Sequence, residues 1–340
     1  MRGSIRLAIT ACAALATLAF VGSAWADYTP SLYVTALNNA PGKPSTMVLG
    51  HVQAATDDAT YKDTIYAPVG YRVSLNQRLG LKIGDVSARF ILRNSGNMET
   101  DVNGLVKVDD PAAHLSDACA PGQHAAVWRL SVAVAQTPVV IYLYVDPITS
   151  GPEALFASGK IQFCLEGPPG TPPGAQLLFA FFSIKNVFTN PPNTTDRLWR
   201  ATFTPFTAGT ATPNPAGTTE GQAVVPGRVS LSLTVKRLKH GVVLLQGRLF
   251  VDRAGFPNAT VELYSPGKSL AVGSGKTNRS GRFTIRKKIK RKTRFSAEVI
   301  FIGDLASCPA MPLPEAPQGC KTATRSFAIA TTYVLAKPRK

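Results

Sequence analysis

Ser230-Leu231-Ser232-Leu233-Thr234-Val235 alternates polar with apolar side chains residue by residue. That period of two decides the fold, because successive side chains on a strand point to opposite faces. Working outward, Ala259, Val261 and Leu263 alternate with Thr260, Glu262 and Tyr264, and Phe295, Ala297, Val299 and Phe301 alternate with Arg294, Ser296 and Glu298. Adding 242–251, 269–277, 282–289 and 325–335 gives seven short strands. Turn signals such as Asp252-Arg253-Ala254-Gly255 and Asn278-Arg279-Ser280-Gly281 divide them. Strands at this spacing predict a β-sandwich.

The same reading extends upstream. Trp128, Leu130, Val132 and Val134 alternate with Arg129, Ser131 and Ala133, and 139–145, 159–165, 177–187 and 198–203 follow, split by Pro and Gly runs such as 167–174. No long amphipathic helix is expected beyond the N-terminus. An immunoglobulin-like sandwich fits, with Trp128 packed near Cys119 and Cys164 as its core. The predicted fold class is therefore all-β: two β-sandwich domains, immunoglobulin-like and transthyretin-like, after a cleaved N-terminal signal helix.

That leader is read from Arg2 and Arg6, the apolar run 7–21 and the small-x-small site Ala24-Trp25-Ala26. Residues 1–26 form a signal peptide on this reading, and the mature chain starts at Asp27, secreted or at the cell surface. Two other readings compete. Left uncleaved, 7–26 sits at the short end of the roughly 20 apolar residues a membrane span needs. Ile9-Thr10-Ala11-Cys12 resembles a lipoprotein lipobox, but the strongest apolar stretch follows the cysteine instead of preceding it.

Past the leader, Cys119, Cys164, Cys308 and Cys320 remain, an even number in an exported chain, and disulfides are expected. Three pairings are possible. Local closure favours Cys119 with Cys164 and Cys308 with Cys320. No C-x-x-C occurs, and His51, His114, His124 and His240 lack ligand spacing, so no metal is expected. Scattered histidines of this kind are ordinarily surface residues or hydrogen-bonded in a core.

Charge divides the chain. The net charge is +17, and residues 228–340 hold 22 Lys and Arg against five acids, whereas 1–227 hold 15 of each sign. The boundary coincides with 207–227, rich in Pro, Gly, Thr and Ala with one charge, which reads as a linker. The expected organisation is 1–26 signal peptide, 27–206 N-terminal sandwich, 207–227 linker and 228–340 basic C-terminal sandwich, each domain large enough for a core.

Three segments of the basic part carry a resemblance. Gln246-Gly247-Arg248, Gly255-Phe256-Pro257-Asn258-Ala259-Thr260-Val261-Glu262-Leu263 and Thr277-Asn278-Arg279-Ser280-Gly281-Arg282-Phe283 resemble the carboxypeptidase-regulatory-like, transthyretin-like family, whose pattern runs G-x-V, G-x-P-x-x-x-V-x-L and T-D-x-x-G-x-F. The match spans about 40 of the 340 residues. It implies a secreted accessory sandwich, a spacer or adhesive module without catalysis. Related collagen-adhesin B-type domains crosslink a first-strand Lys to a last-strand Asn or Asp; 326–335 contains neither, and the Cys308–Cys320 loop is expected to staple instead. In general character the whole chain resembles secreted proteins of high-GC Gram-positive bacteria.

Catalytic motifs are missing: no G-x-S-x-G, no H-E-x-x-H, no well-placed S-x-x-K. Gly273-Ser274-Gly275-Lys276-Thr277 lacks the glycine a phosphate loop needs at position 270, which is Leu, and reads as hairpin turn. Asp57-Asp58, Asp101-Val102-Asn103-Gly104 and Asp109-Asp110 match no complete calcium loop and read as solvated turns. No cofactor is called for.

One cluster stands out. Arg286, Lys287, Lys288, Lys290, Arg291, Lys292 and Arg294 place seven cations in nine residues on a strand end, a hairpin turn and the next strand. With Phe283, Ile285 and Ile289 toward the core, Arg286, Lys288 and Lys290 share the outer face, and Lys287 breaks the alternation where the sheet meets solvent. Like charge so concentrated is relieved by an anionic polymer. Candidate partners are anionic cell-wall polymer, polysaccharide or a membrane surface. Solubility and protection of a strand edge explain such a cluster equally well. No aromatic residue interleaves it, so sequence-specific nucleic-acid binding is not expected. The function expected is a secreted or envelope-associated binding or structural protein, not an enzyme. The alternative is a secreted hydrolase in 27–206 drawing on Asp57, Asp58, Asp109, Asp110 and His124.

Overall fold

The computed structural model describes residues 28–134, 137–165, 174–193, 197–227, 229–251, 253–266, 270–299, 302–307, 321–326 and 332–338. The signal-peptide reading of 1–26 and the Cys308–Cys320 pairing lie outside these residues. What is described is nearly all strand, joined by turns and four single-turn 3-10 helices.

The N-terminal part runs β1 (Ser31–Ala36), β2 (Pro44–Val52), β3 (Thr60–Pro68), β4 (Arg72–Val73), β5 (Lys82–Leu92), β6 (Met98–Asp109), β7 (Ala126–Val134), β8 (Thr137–Pro147), β9 (Ala157–Cys164), β10 (Ala175–Thr189), β11 (Arg197–Pro205) and β12 (Thr219–Val225). Hydrogen bonding follows one continuous path, β1-β2-β10-β5-β6-β7-β8-β9-β3-β11-β12, with β4 on β10. The inward residues of this single sheet, among them Leu32, Leu49, Trp128, Phe182, Trp199 and Phe203, form one core. The sheet curls back on itself: a Cβ on Gly221 of β12 would lie 3.1 Å from the backbone N of Leu32 in β1.

Two expectations are corrected here. Trp128 does not pack with the cystine. It faces the main core, while its neighbour Val127 faces the other way into a smaller cluster with Cys119, Cys164 and Tyr144. A period of two forces adjacent residues onto opposite faces, so one strand serves both clusters. Second, 219–225 of the expected linker is a buried strand, antiparallel to β11. Its small residues, Gly221 and Ala223, are what allow it to lie so close to β1; the same composition reads as flexible when only burial capacity is weighed.

The remaining strands are β13 (Val229–Leu231), β14 (Thr234–Arg237), β15 (Val242–Val251), β16 (Ala254–Gly255), β17 (Thr260–Tyr264), β18 (Gly273–Lys276), β19 (Arg282–Lys288), β20 (Thr293–Val299), β21 (Ile302–Ser307), β22 (Lys321–Ser326) and β23 (Thr332–Ala336). β15 is the centre of one sheet with β13, β14, β16 and β19; β18-β17-β20-β23 form another. Val243, Leu245, Phe283 and Ile285 of the first share a core with Val261, Leu263, Phe295 and Ala297 of the second. The hairpin β21–β22 joins neither: β22 runs parallel to β12 and extends the N-terminal sheet.

Of the two turn signals, 252–255 begins at a residue outside the described ones and its Ala254 and Gly255 form β16, pairing with Val251 and Phe250. The second forms a turn, in which Asn278 Oδ1 accepts from the backbone N of Ser280 at 3.0 Å and Gly281 N bonds Asn278 O at 2.8 Å. The 273–276 segment is strand β18, inside the strand expected over 269–277, and not the hairpin turn its Gly and Ser content also suggested. Its glycines admit Ile285, whose Cγ1 would stand 2.9 Å from a Cβ on Gly275.

Candidate anion-binding surface

Strand β19 displays the expected alternation: Phe283 and Ile285 are buried, and Arg282, Thr284, Arg286 and Lys288 are exposed. Lys287 falls on the core side of the strand at its end, half-buried, where its ammonium donates to the carbonyl of Val272. Beyond it Ile289 is buried and bonds Gly241 O at 2.9 Å. That anchor lifts Lys290, Arg291, Lys292 and, on β20, Arg294 into solvent.

Register then adds cations the linear cluster does not contain. On the outer face of the sheet, Lys236 of β14 and Arg286 of β19 both pair with Leu244 of β15, Lys288 pairs with Val242, and Arg282 with Arg248. Directly opposed residues share a face. Lys236, Arg248, Arg282, Arg286 and Lys288 therefore stand together, with Thr234, Gln246 and Thr284 between them and no carboxylate in β14, β15 or β19. Arg248 is held flat: its guanidinium lies 4.5 Å from the Phe250 ring and Nε donates to Ser280 O at 2.8 Å. Two acids of this part, Glu262 and Glu298, pair directly across β17 and β20 of the other sheet, and a third, Asp304, lies in β21, which belongs to neither sheet. Lys236, Arg248 and Arg282 escape a linear reading because the signal that unites them is cross-strand register.

The carboxylates of the hydrolase reading are engaged locally. Asp57 is buried and accepts from the backbone N of Ala54 at 3.1 Å and of Thr29 at 3.4 Å. Burial, then the charge of Asp57, raises the Asp58 carboxyl above its ordinary range. Asp109 accepts from Asp110 N at 2.9 Å, and Asp110 caps the turn 111–114 through Ala112 N at 3.0 Å. His124 bonds none of the four; its Nδ1 faces Asp146 at 2.9 Å and its Nε2 faces the carbonyl of Ala120 at 2.7 Å. Asp101 is not in a turn but in β6, paired with Arg89 at 2.6 Å.

Three of the histidines pair with aspartates: His51 and His124 with partners brought in from other strands, His114 with Asp117 of its own turn. His51 and Asp63 meet at 2.9 Å with neither side chain exposed to any degree (0%/0%). His114 Nδ1 and the Tyr144 hydroxyl both donate to Asp117 Oδ2, at 2.7 and 2.6 Å. Burial resists ionisation of Asp117, but these two bonds outweigh it and hold its carboxyl below the ordinary range. This second group closes over the Cys119–Cys164 disulfide, whose Cα atoms are 5.7 Å apart. Among the described residues no group of His, Cys, Asp and Glu has the arrangement of a metal site.

Comparison with protein-family models and with curated proteins finds no match to the chain.

Proposed function

We propose that the protein is exported and serves outside the cytosol as a binding or structural protein, held by charge to a polyanionic surface of the cell envelope. The observation that carries this is the outer face of β14, β15 and β19, where five cations gather without an acid among them. Self-repulsion on such a face is relieved when it meets phosphate or carboxylate repeats. The basic part is read as a β-sandwich, which two sheets sharing one core support. Two glycines of the segments that carry the family resemblance are packing requirements of this fold: a Cβ on Gly247 would lie 1.9 Å from Ser232 O and one on Gly255 2.3 Å from Ser280 O. Export is consistent with a cystine of ordinary span in the N-terminal part.

The mature chain from Asp27 is tested on phosphatidylglycerol vesicles and on immobilised teichoic acid at 0.1 M and 1 M NaCl. Screening shortens from about 10 Å to about 3 Å across that range, so retention at low salt and release at high salt are expected. Equal retention at both, or unchanged retention after reversing Lys236, Arg282, Arg286 and Lys288 to Glu, overturns the proposal.

A further inference from the structure

A cavity of about 230 Å³ opens in the N-terminal part beside the first residues of β11, lined by Arg197, Arg200 and Asn193 and by the apolar side chains of Leu155, Phe156 and Leu198. Two arginines in one small cavity are unusual because both are buried, at 3% and 5% exposure. They are not equivalent. Arg200 lies 4.8 Å from the Phe156 ring and has the buried Glu220 as a compensating charge. Arg197 donates from Nη2 to Asn193 O at 3.1 Å, and among the described residues its buried Nε and Nη1 make no well-formed hydrogen bond.

The groups around Arg197 repeat the pattern. Its guanidinium lies 5.7 Å from the Tyr71 ring, which packs edge-on against Trp199 with centroids 5.0 Å apart. The Tyr71 hydroxyl is buried facing both Arg197 and the Trp199 indole N–H, one neutral oxygen for several donors, and among the described residues none of these contacts reaches good hydrogen-bond geometry. Buried donors are almost always paired, and among the described residues this neighbourhood is rich in N–H and short of acceptors. We infer that this cavity binds a small organic carboxylate, its oxygens taken by Arg197 and its apolar body lying against Leu155, Phe156 and Leu198. Guanidinium is the side chain suited to that anion, and the cavity, at the small end for ligand sites, suits a compact molecule. The site is separate from the cationic face and does not depend on it.

The test uses the mature chain and ¹⁹F NMR titration of 4-fluorobenzoate, with 4-fluorobenzyl alcohol as neutral counterpart and inorganic phosphate as competitor. Saturable binding of the carboxylate but not the alcohol is expected, weakened ~10–100-fold by Arg197→Met, the range for losing charge-assisted hydrogen bonds, and unaffected by Lys288→Ser. Should Arg197→Met not fold, Leu155→Trp fills the cavity from its exposed side and is expected to abolish binding. No saturable binding, equal binding of the alcohol, loss on Lys288→Ser, or retention in Leu155→Trp overturns the inference. Full displacement by equimolar phosphate overturns the carboxylate assignment, since a bare anion would then suffice.

Discussion

Lys236 and Arg286 stand on either side of Leu244 in one cross-strand row, both directed to the outer face of the sheet. Distant in sequence, they repel each other unless a polyanion lies across them. Lys236→Ser is therefore expected to weaken retention on teichoic acid as much as Lys290→Ser does, although only Lys290 belongs to the linear cluster. Each substitution should flatten the plot of log K against log salt by about one unit, as for loss of one ionic contact. If Lys236→Ser behaves as wild type while Lys290→Ser does not, the surface is the hairpin alone.

The Cys119–Cys164 bond closes a separation of 45 residues. Constraint of the unfolded chain over a loop of that length corresponds to about 4 kcal/mol. Cys119→Ala with Cys164→Ala should lower the urea midpoint accordingly, and dithiothreitol should lower that of the wild type at least as far. A reductant-insensitive midpoint would contradict the bond.

His51 links pH to stability. Burial disfavours its imidazolium, but the adjacent Asp63 carboxylate, together with hydrogen bonds to Asp63 and Gln53, outweighs burial, so its pKa is raised. Both ring nitrogens face acceptors, Asp63 Oδ2 and Gln53 Oε1, each at 2.9 Å. A raised folded-state pKa stabilises fully below the unfolded value of about 6.5 and fades as pH rises through the folded value. Urea denaturation from pH 5.5 to 9 should show this loss in the wild type and its absence in His51→Gln. Asp63→Asn, which strands a buried cation, is expected to cost about 3–5 kcal/mol at low pH; a smaller pH slope in the wild type than in His51→Gln would refute the pairing.

Two glycines separate backbone strain from crowding. Gly209 and Gly281 both have positive φ, 68° and 75°, but a Cβ on Gly209 meets nothing within 4 Å, whereas one on Gly281 would stand 2.2 Å from Leu249 O. Gly209→Ala should cost about 1–2 kcal/mol, the left-handed penalty alone. Gly281→Ala should cost clearly more by the same denaturation measurement. Equal losses would mean that the turn at 278–281 yields without resistance.

Much of the architecture is legible in the chain because strand periodicity is local. The alternations at 128–134, 259–264 and 282–289 each become a strand, and the Asn278 turn closes through its own side chain. Burial of Ile289, which lifts Lys290 and Arg291 outward, follows from the same pattern. Partnership is another matter. Nothing within 219–225 announces that Gly221 must fit against Leu32, and nothing near Trp128 shows that its neighbour Val127, not Trp128 itself, meets the cystine. The arginine cavity was missed for the same reason: Arg197 reads as an ordinary strand-end cation until Tyr71 and Trp199 are placed beside it.

Side-chain polarity along the backbone dictates which residues face inward, and the count of cations dictates how much charge the basic part must display, since both are sums over neighbours in the chain. Which strand lies beside which is settled by long-range register, where the gain from burying Trp128, Trp199 and Phe203 together outweighs any local preference. Hence the cationic face across β14, β15 and β19, the pairing of His51 with Asp63 and the buried guanidinium of Arg197 exist only once the sheets have closed.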